Sequence, residues 1–186
     1  MRRYLWLVLA GLAGTTMPAL PAAAEPPVEA AEAVEAPTRW DALSAAVGGE
    51  LGALFSAATG EDRIWVERLV GLYDARGGRA IWAQETGFKP AARTAADELS
   101  RADQWGLDAR TYRVPDLEAA GSDAKALARA EVGLSLAVLK YVAHARGHRV
   151  DPSQLSKWLD QRPRPVAAWM VGLIADSEEP AAALRA

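Results

Sequence analysis

Between Asp123 and Arg146, apolar residues cover most of a helical surface. Leu127, Leu134, Val138 and Tyr141 form one stripe, and Val132, Leu136, Leu139 and Val142 form another. Only a narrow polar seam remains, through Arg129, Gly133, Lys140 and His144. A helix so apolar belongs at the centre of a bundle. Ser122 or Asp123 serves as its N-cap, and Gly147 closes it. One-sided patterns predict three more helices. In Glu61 to Tyr73, Trp65, Leu69 and Leu72 recur at i, i+4 and i+7, and the acids Glu61 and Asp62 suit the positive helix start. Pro90 to Trp105 opens with proline at N1 and stops before Gly106. Its inner face, Ala92, Ala95, Ala96, Leu99 and Ala102, is small enough to let a neighbouring helix come close. A weaker helix covers Trp40 to Phe55, marred by Gly48, Gly49 and Gly52. Two short helices are expected after Pro152 and Pro165, and only Arg79 to Ala83 reads as extended chain. The expected fold class is all-α: a compact helical bundle around one central buried helix.

The first 38 residues follow other rules. Met1-Arg2-Arg3, an apolar run from Tyr4 to Ala13, and Ala22-Ala23-Ala24 have the order of a secretory signal peptide with a small-x-small cleavage site. Gly14, Thr15, Thr16, Pro18 and Pro21 break the run before the roughly 20 apolar residues that a bilayer-spanning helix needs. The expected divisions are therefore a signal peptide over 1–24, a linker of Pro, Ala and Glu over 25–38 and a helical domain over 39–186. The linker has no aromatic residue and too little apolar surface to offset the entropy of ordering it. No membrane span is expected after cleavage, and the localisation read from this leader is periplasmic.

Composition narrows the chemistry. With 24 Asp plus Glu against 21 Lys plus Arg, the net charge is −3, and loss of the leader, which carries Arg2, Arg3 and no acid, makes it −5. That acidity argues against a nucleic-acid partner. The chain has no cysteine, which excludes disulfides, thiolate metal sites and a cysteine nucleophile.

The remaining candidates each have a plainer structural use. His144 and His148 are spaced as zinc ligands on one helix, but Gly147 separates them and no third ligand is marked, so capping is expected and no metal. Glu85, close to Trp82, is the least ordinary acid, and a single acid does not make the carboxylate pair of a glycosidase. Trp65 is expected in the core. Trp82 and Trp158 lie in irregular segments and are the two tryptophans weighed as exposed platforms, with core burial the commoner fate. Arginine concentrates at Arg76 with Arg79 and at Arg146 with Arg149, Arg162 and Arg164. Such arginines bond helix-terminal carbonyls or form an interaction surface. The candidate surface is Arg76, Arg79, Trp82, Arg146 and Arg149.

The run Leu72-Tyr73-Asp74-Ala75-Arg76-Gly77-Gly78-Arg79-Ala80-Ile81-Trp82 resembles the start of the amino-terminal scaffold domain of the large murein L,D-transpeptidases. Gly106-Leu107-Asp108-Ala109-Arg110-Thr111-Tyr112, the central helix with Leu134, Leu136 and Tyr141, and Gly147-His148-Arg149-Val150-Asp151-Pro152 agree with it in order and spacing. The resemblance covers about Ile64 to Ala186. The sequence departs from it with Gly78-Arg79-Ala80, where the family tends to place proline before the apolar-Trp pair.

The resemblance implies a helical, non-catalytic scaffold domain associated with peptidoglycan cross-linking and cell-wall biogenesis. In the family a catalytic domain with a Ser-His-Gly-Cys motif follows; this sequence has no such run, so no catalytic residue carries over and no cofactor is expected. Peptidoglycan or a cell-wall enzyme is the partner implied. Two alternatives stay open: a truncated piece of a complete L,D-transpeptidase, and a free-standing helical adaptor for another envelope protein.

Overall fold

A computed structural model describes residues 39–84, 87–149 and 163–185, with side chains from Ala42 onward. The expected leader and linker, the helix after Pro152, and Glu85 and Trp158 lie outside the described residues. Helix α1 spans Arg39–Ala57 and α2 spans Gly60–Ala75. Strands β1 (Ala83–Gln84) and β2 (Gly87–Phe88) pair antiparallel, Ala83 opposite Phe88. Helix α3 is Pro90–Ser100, followed by 3-10 turns at Ala102–Trp105 and Ala109–Tyr112. Helices α4 (Ala124–Ala145), α5 (Trp169–Ala175) and α6 (Pro180–Arg185) complete an all-α architecture.

Helix α4 is the centre, as its two apolar stripes predict. It packs against each of the other five described helices. Leu127, Val132, Leu134, Val138, Leu139 and Tyr141 are buried, and the seam residues Gly133, Lys140 and His144 reach solvent in part. The Asp123 carboxylate accepts from the amide of Ala126 at 2.8 Å, supplying the N-cap. At the other end Gly147 takes φ +92°, and the His148 amide donates back to the Ala143 carbonyl at 2.9 Å. This closure needs the left-handed glycine.

Helix α1 forms where the sequence predicts it, and two other boundaries differ from expectation. Helix α1 runs unbroken through Gly48, Gly49 and Gly52, because Leu43, Val47 and Leu51 bury one edge of it while the glycines face open space. Packing outweighs a cost of about 1 kcal/mol per glycine. Helix α3 ends at Ser100 rather than Trp105; the next residues tighten into a 3-10 turn that Gly106 closes at φ +76°. The extended segment is a two-residue strand at Ala83–Gln84, beyond most of Arg79 to Ala83. The short helix expected after Pro165 is α5, while α6 was not expected. Among the described residues no helix is long and apolar enough to cross a membrane.

Candidate interaction surface

The turn after α2 places most of the chemistry-bearing residues. Gly77 and Gly78 adopt φ +65° and +74°, and the Gly78 amide donates to the Tyr73 carbonyl at 2.8 Å. The left-handed pair reverses the chain, so no proline is needed before Ile81. The amides of Ile81, Trp82 and Ala83 then point at α4, where Glu131 receives all three.

Glu131 is fully buried. Its Oε1 accepts from the Ile81 amide and, at 2.7 Å, from the Tyr73 hydroxyl; Oε2 accepts from the Ala83 amide at 2.8 Å. The Trp82 amide is shared between both oxygens, at 3.2 and 3.1 Å. One turn on, Ser135 Oγ accepts from the Trp82 indole at 2.9 Å and lies 2.8 Å from the Tyr73 hydroxyl. A consistent proton order runs from the indole to Ser135, from Ser135 to Tyr73, and from Tyr73 to Glu131. Burial pushes the Glu131 carboxyl above its ordinary value, and the four donors pull it back. The Tyr73 phenol is held well above its ordinary value, first by burial and then by the neighbouring Glu131 charge.

Tyr, Ser and Glu side chains this close resemble a catalytic constellation, but their bonds are spent on one another and on the backbone. Ser135 has no free base beside it, so the group is a structural clamp. Sequence reasoning passed over Glu131 and Ser135. The signal was there: both fall on the Leu127-Leu134-Val138 side of the most apolar helix, where a polar residue is buried and must find partners.

Trp82 is corrected from the candidate surface to the core: it is fully buried beside Glu131 and Ser135. The exposed tryptophans among the described residues are Trp105 and Trp169, and Trp65 is buried as expected. The four arginines all make backbone contacts or lie against backbone. Arg79 Nε donates to the Arg76 carbonyl at 3.0 Å, joining those two. Arg76 Nη1 lies 3.8 Å from where a Cβ on Gly172 of α5 would sit, and its buried Nε has no hydrogen-bond partner. Arg146 donates to Pro165 O and Arg149 to Gly106 O, each at 3.3 Å.

The two histidines are tied to different elements. His144 Nδ1 lies 3.1 Å from the Tyr112 hydroxyl, whereas His148 Nε2 meets the Arg164 carbonyl at 2.7 Å and its ring packs edge-on to Trp65. Burial lowers the His144 pKa and raises that of Tyr112 to about 12. Among the described residues no group of three His, Cys, Asp or Glu is placed to hold a metal ion.

Residues 67–186 match a family model described as a Scaffold domain. No curated protein and no solved structure is significantly similar to the chain.

Proposed function

The chain belongs to the Scaffold domain family, and on that premise we propose that it is a non-catalytic scaffold domain of the L,D-transpeptidase type, exported to the periplasm and associated with peptidoglycan cross-linking. The observation that carries this reading is where the resembling motifs go in the fold. Leu72 to Trp82 is the segment clamped by Glu131, and the Trp82 indole is an internal anchor rather than a sugar platform. In Gly106 to Tyr112, Asp108 caps the 3-10 turn, and Tyr112 packs against Tyr141 and His144 of α4. Gly147 to Arg149 closes α4 and returns a guanidinium to Gly106. Each motif supplies rigidity, which is what a positioning domain needs.

The thioester route of these transpeptidases requires a thiolate, and this sequence has none. Its contribution is to hold a catalytic partner or the wall in place. In cells lacking the chain, the share of stem-peptide cross-links made by L,D-transpeptidation should fall, and the gene returned in trans should restore it. An unchanged share overturns the assignment. Export is checked separately: the periplasmic protein should begin at Glu25, and a chain that retains Met1 contradicts it.

A further inference from the structure

We propose that the outer face of α5 is a self-association surface on which a second copy of this chain docks antiparallel. The proposal stands apart from the cell-wall reading. Among the described residues the large exposed apolar side chains are Ile64, Trp105, Trp169 and Leu173. Trp105 is partly engaged, its indole donating to Glu98 and Arg185 lying over its ring. Trp169 and Leu173 are 59% and 62% exposed and stand at i and i+4 on one helix, about 6 Å apart along its axis. The opposite face of α5, Val171, Ile174 and Ala175, is buried, so the apolar pair is presented from a fixed element.

The charge around this pair is divided between its ends, apart from the half-buried Arg76 guanidinium that lies against Gly172 between them. Before α5, Arg68 donates to the Val166 carbonyl at 3.2 Å, Arg146 donates to Pro165, and Arg164 is exposed. After it come exposed Asp176, Glu178 and Glu179, with Lys89 3.7 Å from Asp176. Glu178 and Glu179 also suit the positive start of α6, which explains their position but not the bare Trp169 and Leu173. A uniformly acidic partner is repelled at one end and a uniformly basic one at the other. The face itself, rotated by a two-fold axis, meets the requirement: each Trp169 lies on the other copy's Leu173, and each cationic end lies beside an acidic end. That self-complementarity is what a two-fold interface needs. A seven-residue helix offers far less than the roughly 1,200 Å² of a stable complex, so the dimer is weak and salt-sensitive.

Sedimentation velocity of the full chain, over a concentration series at low and high salt, tests this. The weight-average coefficient should rise with concentration at low salt and less at high salt, and Leu173→Asp should hold the chain monomeric with its helical circular dichroism intact. The pair Arg68→Glu, Arg164→Glu and the pair Glu178→Arg, Glu179→Arg should each weaken self-association, whereas a mixture of the two variants should associate again, because both contacts between the ends are then opposite in sign. A chain monomeric at every concentration, a dimer indifferent to Leu173→Asp, or variants that do not recover on mixing overturns the proposal. So does Trp169 emission that shifts with phosphatidylglycerol vesicles or an acidic peptide while the chain alone stays monomeric, since the face then serves another occupant.

Discussion

Glu131 on α4 and Glu98 on α3 are both buried acids, and they are held in opposite ways. Glu131 is surrounded by neutral donors, three backbone amides and a phenol. Glu98 instead accepts from the Trp105 indole at 3.0 Å and from the Arg185 guanidinium at 3.1 Å, with Arg101 at 3.8 Å. The amides of Ile81, Trp82 and Ala83 would be orphaned in the core without Glu131, because the strand beside them is only two residues long. A side chain thus does the work of a missing strand. Glu98 ties helix α6 and a surface tryptophan to α3, with half-exposed cations that water can also solvate. The first acid decides whether a segment can be buried, while the second secures an edge.

Substitution separates the two. Glu131→Ala leaves three backbone amides unpaired in the interior and should lose at least roughly 3 kcal/mol; Glu131→Gln, which turns an amide NH₂ toward donors, should recover only part of that. Urea unfolding followed by circular dichroism checks both, and a midpoint equal to the parent's refutes the clamp. Leu134→Ala, three residues along on the same stripe, removes apolar contact alone and should cost roughly 2–5 kcal/mol. The two losses differ in kind: Glu131→Ala should also expose the Trp82 indole to water and shift its emission to the red, while Leu134→Ala should leave it nearly unchanged.

Glu98→Gln should cost roughly 1 kcal/mol, shrinking as salt is raised, because its cationic partners are screened. If this loss equals that of Glu131→Gln and is indifferent to salt, the contrast between the two acids fails.

The smallest effect concerns the contact of His144 with Tyr112. His144 has its folded pKa held below the ordinary 6.5, mainly by burial, so its contribution is present above about pH 6.5 and lost as pH falls through that value toward the lower folded one. Tyr112 is raised, again by burial, so its contribution is present below its ordinary 10.0 and lost as pH climbs toward about 12. Melting temperature should therefore fall on both sides of neutrality. His144→Gln should flatten the acid limb and Tyr112→Phe part of the alkaline one, while Tyr73 and Tyr141, also raised by burial, keep the rest. An acid limb unmoved by His144→Gln counts against this contact.

Where a residue's fate depends on neighbours within one helical turn, the sequence by itself determined the outcome. The double stripe of α4, its Asp123 cap and its Gly147 stop are written in adjacent residues, and they set the fold class. The burial of Trp65 follows from the same spacing rule. Tertiary structure alone decided the rest. Trp82 and Trp169 both lie in or beside irregular chain, and nothing local marks one for the core and the other for solvent. Trp82 is buried because Glu131, about 50 residues later in sequence, satisfies the amides around it. Trp169 stays exposed because Val171, Ile174 and Ala175 take the inward face of a short helix whose direction is set by packing on α4 and α6. Glu131 itself could be read as a polar interruption of an apolar stripe, but its partners could not, since a carboxylate does not specify which distant amides it will meet. Hydrogen-bond demand is local, and its satisfaction is a property of the folded chain.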